Sequence, residues 1–88
     1  MNAPVKLAVT LDQLSMQQSA IITAINWTAM SENEGARIRD LGLDEGVEVI
    51  KLYKGMFGFE DPIALKVGRM MIAIRKSHAS AISVIIPV

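Results

Sequence analysis

Few residues of this 88-residue chain have the type and spacing to do chemistry. The single imidazole is His78. It lies three residues after Arg75, in a segment that reads as a helical turn, and a solvated surface ring is expected. No Ser-His-acid order, no nucleotide-binding glycine pattern and no Cys nucleophile accompanies it. Gly55-Met56-Phe57-Gly58 is not a phosphate loop, because no Gly-Lys-Ser/Thr follows. A catalytic role is therefore not expected. For a divalent metal the weak candidates are Glu60, Asp61 and His78, with Glu32 and Glu34 further off in sequence. A selective site of this kind gathers imidazoles or mixed carboxylates on a fixed frame. Glu60 and Asp61 are adjacent, and neighbours on an extended chain point apart. The six Met residues show no ligand spacing, and Met70 is expected in the core.

Recognition of a partner has better support. Met56, Phe57 and Phe59 gather large apolar side chains, including two of the four aromatics, in a glycine-containing loop. Two readings stand: the loop folds back over the end of the core, or it presents an apolar anchor to a partner or a second copy. Arg37, Leu41, Arg39 and Lys51 could extend such a surface. An RNA-binding face would instead need Lys51, Lys54, Lys66 and Arg69 to be continuous. Trp27 and Tyr53 do not form the dense aromatic groove that takes PxxP ligands.

Composition bounds these options. One domain spanning 1–88 is expected, because the chain has no room for two cores. Apolar residues make up 51%, enough for a core without disulfides. The absence of cysteine excludes a disulfide scaffold, a zinc ribbon and an iron–sulfur site. Zero net charge argues against a general nucleic-acid binder. That zero conceals asymmetry: residues 1–50 sum to −4 and residues 51–88 to +4. Either the halves neutralise each other on folding, or the surface has an acidic and a basic side. No leader pattern opens the chain, and no apolar run nears the ~18 residues of a spanning helix. A cytoplasmic location without membrane insertion is the expectation.

The elements that must position these residues follow from local pattern. Leu11-Asp12-Gln13-Leu14 is a short apolar turn with Thr10 as cap. Gln18 to Asn26 is β-branched and reads as a strand. Ser31-Glu32-Asn33-Glu34 has capping-box spacing, so a helix should run from about Glu32 to Leu41. Gly42 then takes the positive-φ position, with Leu43 making the apolar contact. Val47 to Lys54 is a strand whose alternation slips between Val49 and Ile50, predicting a bulge. Ile63, Leu65 and Val67 face inward on one strand and Met70, Ile72 and Ile74 on the next. Gly68-Arg69 between them fits a type II′ turn. A helical turn follows at Lys76 to Ala81, with Ser77 a candidate cap, and then a last strand at Ser83 to Ile86. Five short strands and two short helices predict a mainly β protein, a small barrel whose closure removes the sheet edges. The core is expected over about 11–86, with 1–9 as an N-terminal extension.

Four segments together resemble one family. Arg37-Ile38-Arg39-Asp40-Leu41-Gly42-Leu43-Asp44-Glu45-Gly46 resembles the R-x-x-x-L-G-[LM]-x-x-G segment of FeoA, the ferrous iron transport protein A family. Leu11-Asp12-Gln13-Leu14 is similar to its opening L-x-x-L, and Asp61-Pro62-Ile63 to its D-P-I. The stretch from Ile72 through Arg75 and Ala79 to Val84 is similar to its closing i-A-l-R-x-x-x-A-x-x-I-x-V. The chain departs from the family where Met16-Gln17-Gln18 replaces the usual glycine. It departs again where Gly58-Phe59-Glu60-Asp61-Pro62 lengthens the family's G-D-P. The resemblance implies an SH3-like barrel and a non-enzymatic cytoplasmic accessory of ferrous iron uptake. Its implied partner is a FeoB-like ferrous iron permease at the inner membrane face, with a homodimer as a further state. The alternative it implies is a metal-responsive sensor or dimerisation module, as found at the C-terminus of metal-dependent repressors. Binding of a transition metal, iron or zinc, belongs with that alternative, and no cofactor is expected otherwise.

Overall fold

Alternating β-branched and apolar residues build most of this molecule, and two glycine-ended turns and one capped helix fold it over. The computed structural model describes residues 7–54 and 61–87. The strands are β1 (Leu7–Thr10), β2 (Ser19–Ile25), β3 (Glu48–Lys54), β4 (Ile63–Val67), β5 (Met70–Ile74) and β6 (Ile82–Ile86). Helix α1 (Glu32–Asp40) lies between β2 and β3, and the single turn α2 (Lys76–Ala79) between β5 and β6. The sheet is antiparallel throughout, in the order β1-β6-β2-β3-β4-β5.

Six strands form among the described residues, where about five were expected. The additional one, β1, lies mostly in the residues read as an extension and pairs with β6, Leu7 opposite Ile86 and Thr10 opposite Ser83. Four residues are too few to show a convincing alternation. The order also leaves β1 and β5 as edges, so the expected complete closure of the ladder is not seen among the described residues.

The buried set includes Leu11, Ile22, Ile38, Leu43, Val49, Ile63, Leu65, Ile82 and Val84, each under 2% exposed. Burying each such side chain contributes about 1.5–3 kcal/mol. Bulges adjust which residues face this core. A register shift in β2 between Ile22 and Ala24 lets Ile22 and Ile25 both point inward although they are three apart. In β3 the shift falls between Lys51 and Tyr53, later than the predicted slip between Val49 and Ile50. The strand keeps strict alternation through Val49 and Lys51 because Lys51, despite its charge, also points inward and is 2% exposed.

On β4, Ile63, Leu65 and Val67 are buried as expected. On β5 only Ile74 is buried; Ile72 is half-buried and Met70 is 51% exposed, contrary to the core position expected for it. Met70 sits at the hairpin tip. The helix end that approaches Val67, through Gly42, does not cover it. The hairpin itself is as predicted: Val67 faces Met70 across two residues, and Gly68 alone has positive φ, +60°, as a type II′ turn requires.

Candidate functional site

Helix α1 is fixed at both ends by its own sequence. The Ser31 hydroxyl accepts from the Glu34 N–H at 3.2 Å, and the Ser31 N–H donates to Glu34 Oε1 at 2.8 Å. At the other end Gly42 takes φ +88°. Its N–H donates to Arg39 O at 2.9 Å, and the Leu43 N–H donates to Ile38 O at 3.3 Å. These are the two bonds of a Schellman motif, with Ile38 and Leu43 as its buried apolar contact.

The second helical turn is held from outside its own sequence. Arg75, not Ser77, occupies the N-cap position of α2 and provides no side-chain cap. Asp61 supplies it: Oδ1 accepts from the Lys76 N–H at 2.9 Å, and Oδ2 lies 3.9 Å from Arg75 Nη1. Ser77 serves instead through its carbonyl, which accepts from the Ser80 hydroxyl at 2.8 Å.

His78 joins the two helices. Its Nε2 lies 2.8 Å from Glu34 Oε2, and its side chain is only 13% exposed, so the expectation of a solvated ring does not hold. The Ser31 N–H, then the His78 contact and the Ser31 hydroxyl, hold the Glu34 carboxyl down at about 2. An ionised carboxylate only accepts, so the proton of this contact is on His78 Nε2.

These elements enclose an open groove of about 590 Å³. Arg37 and Ile38 line it from α1, Leu41 from the C-cap of that helix, and Ala73 and Ile74 from the end of β5. Asp61, Pro62, Arg75 and His78 complete it. Arg37 and Leu41, expected at a partner surface, thus stand together with two of the weak metal candidates, Asp61 and His78. Met56, Phe57, Phe59 and Glu60 lie outside the described residues. The sequence reading missed Ala73 and Arg75 as groove residues; the clue was an uncharged β5 ending directly in an arginine.

Arg39 leaves this groove. Residues two apart on a helix face different sides, and its guanidinium stacks 4.1 Å from the centroid of the Trp27 ring. Lys51 is no rim residue either: Nζ donates to Asp12 O at 2.9 Å and Leu14 O at 2.8 Å. Its burial also removes it from the basic face that RNA binding would have required.

The described donors do not fit a resident metal. Among the described residues no three His, Cys, Asp or Glu gather, and His78 and Glu34 are already bonded to each other. Asp61 is engaged by the α2 backbone.

A family model described as the FeoA domain matches residues 9–86. The chain belongs to the FeoA family. The match covers all six strands except the first two residues of β1. Solved structures agree. FeoA of Stenotrophomonas maltophilia in complex with zinc is 30% identical, with a TM-score of 0.72 over 86% of this chain and 88% of that one. That protein is described as a prokaryotic SH3 domain protein and a candidate ferrous iron transport activating factor. FeoA of Chlorobium tepidum is 27% identical, with a TM-score of 0.75 over 89% and 70% of the two chains. The fold alone is shared with IdeR of T. acidophilum, at 21% identity and a TM-score of 0.74, where 98% of this chain spans 37% of that one. No curated protein matches the chain. As a FeoA domain with an antiparallel six-stranded sheet and two short helices, the chain has the predicted mainly β, SH3-like architecture.

The family's usual glycine after L-x-x-L gives one local consequence. In this chain Gln17 takes φ +68°, a left-handed conformation that glycine adopts without steric cost. Its side-chain Nε2 donates to Leu52 O at 3.2 Å, which offsets part of that cost.

Proposed function

We propose that this FeoA domain is a non-enzymatic accessory of ferrous iron uptake that binds the cytoplasmic part of a FeoB-type permease. Family membership supports the accessory role in iron transport. The observation that carries the binding reading is the groove between α1 and the end of β5. It joins the apolar Leu41 and Ile38 to Arg37 and Arg75. Ferrous iron is the permease's cargo here, not a resident of this domain. Met56, Phe57 and Phe59 belong to the proposal on sequence grounds alone, as apolar anchors. No helix of the described residues is long and apolar enough to cross a membrane, which accords with docking from the cytoplasmic side.

The test is co-purification of the permease with the wild-type chain, with Arg37→Glu/Leu41→Gln and with Phe57→Asp/Phe59→Asp. Capture by the wild type and loss in both folded variants is expected. Full capture by a folded variant removes its residues from the surface.

A metal-responsive module is the alternative, prompted by the shared fold of IdeR and by a zinc-bound relative. Calorimetric titration of the domain with ferrous and zinc ions decides it. Heat at micromolar ion would favour it, and its absence would remove it.

A further inference from the structure

Among the described residues β5 is an edge strand, and its own sequence lacks the devices by which edges are normally protected. Met70-Met71-Ile72-Ala73-Ile74 contains no charge, no proline and no bulge against β4. The two-residue hairpin makes Val67 and Met70 the closing hydrogen-bonded pair, so by alternation Ile72 and Ile74 bond to β4. The N–H and C=O of Met71 and Ala73 therefore point to the open edge. Met71 is 65% exposed, and Ala73 is exposed where it borders the groove.

The charges at the two ends of β5 indicate what pairs there. Arg69 precedes the strand and Arg75 follows it, about 20 Å apart at the rise of an extended chain. A second copy of β5, antiparallel and centred on Ile72, would set Arg69 against Arg75 at both ends. Like charges directly opposite are destabilising, so self-pairing is disfavoured. A strand with a carboxylate at each end meets the opposite condition. Asp61 does not consume this site: its Oδ1 holds the Lys76 N–H, and the Arg75 side chain stays 74% exposed. Across the groove Arg37 adds a third cation and Leu41 an apolar wall.

We propose that β5 binds an extended peptide as an added strand, apolar in its middle and acidic at both ends, one end lying in the groove between β5 and α1. This names the recognition mode of the partner-binding surface proposed above and rests on that reading. Backbone bonds at Met71 and Ala73 supply affinity, and Arg69, Arg75 and Arg37 select the charge and fix the register.

The probe is the capped peptide Asp-Val-Thr-Val-Thr-Val-Asp, titrated into isotope-labelled protein and followed by amide shifts and hydrogen exchange. Binding is expected to slow exchange at the Met71 and Ala73 amides about tenfold or more and to shift Leu41. The same peptide with Lys at both ends, or N-methylated on its protein-facing amides, should bind about tenfold more weakly. Met71→Pro removes only an outward N–H, so the fold should persist and binding should be lost. Equal binding of the acidic and Lys peptides, protection elsewhere, or no binding at millimolar peptide overturns the proposal. Should Met71→Pro unfold, the N-methylated peptide decides alone. Permease capture by wild type and folded Met71→Pro alike would overturn strand addition yet leave partner binding standing. No capture by wild type would remove partner binding itself.

Discussion

Lys51 is a buried cation whose Nζ ties the carbonyls of Asp12 and Leu14 to β3, and so fixes the turn that follows β1. Replacing it with Met keeps the apolar stem but leaves those carbonyls unsatisfied, at about 1–3 kcal/mol each. Lys51→Met should therefore lower stability by about 2–4 kcal/mol in urea denaturation, whereas Lys66→Met on the exposed face should change it by under ~0.5 kcal/mol. The pair of Glu34 and His78 yields a pH prediction. Glu34 titrates at about 2 in the folded state against 4.5 ordinarily. Between those values the unfolded chain binds more protons, so the contribution of Glu34 is fully present above 4.5 and is lost as pH falls towards 2. Glu34→Gln should flatten the fall in stability between pH 5 and 2.5, measured by denaturant titration at each pH. A slope equal to wild type would contradict the assignment. Neither feature was legible from residue type. Lys51 reads as solvated until the strand's alternation is trusted through it, and His78 meets Glu34 across 44 residues.

At the scale of elements, local signals were legible wherever the determinant was itself local. Ser31 and Glu34 as a capping box, Gly42 as the left-handed stop and Gly68-Arg69 as a type II′ turn each concern a few adjacent residues, and each formed as expected. The cap of α2 was not legible because it comes from Asp61, fifteen residues away. The bulge in β3 was misplaced because its register depends on pairing with β4. Within α1, Gly35 has no conformational need to be glycine. An added Cβ would lie 3.4 Å from Trp27 Cε3, an ordinary contact. Gly35→Ala should therefore stabilise the fold by about 0.5–1 kcal/mol. In thermal unfolding this would raise Tm by roughly 2–8 °C. A lowered Tm would mean that the Trp27 ring cannot accept the methyl group.

For the molecule as a whole, the charges of the two halves of the chain can be placed on the elements that carry them. Lys66 and Arg69 fall on the β4–β5 hairpin and Arg75 at its exit, where it lines the groove, while Glu32, Glu34 and Asp40 lie on α1 with Arg37 and Arg39. Folding brings the two halves together at the groove, where Arg37 stands with Asp61 and Arg75 and Glu34 meets His78. The end of β5, with Ala73 and Arg75, borders the groove that Arg37 and Leu41 line. The family architecture was readable because its motifs sit at turns and caps. The open edge of β5 was not, because strand order is a property of the assembled sheet. That groove is where the permease is proposed to dock. The most direct measurement is the amount of FeoB-type permease that co-purifies with wild-type chain and with Arg37→Glu/Leu41→Gln, after circular dichroism has established that the variant is folded. Capture by wild type and a drop of about tenfold or more in the variant are expected. Equal capture by the two would contradict docking at the groove.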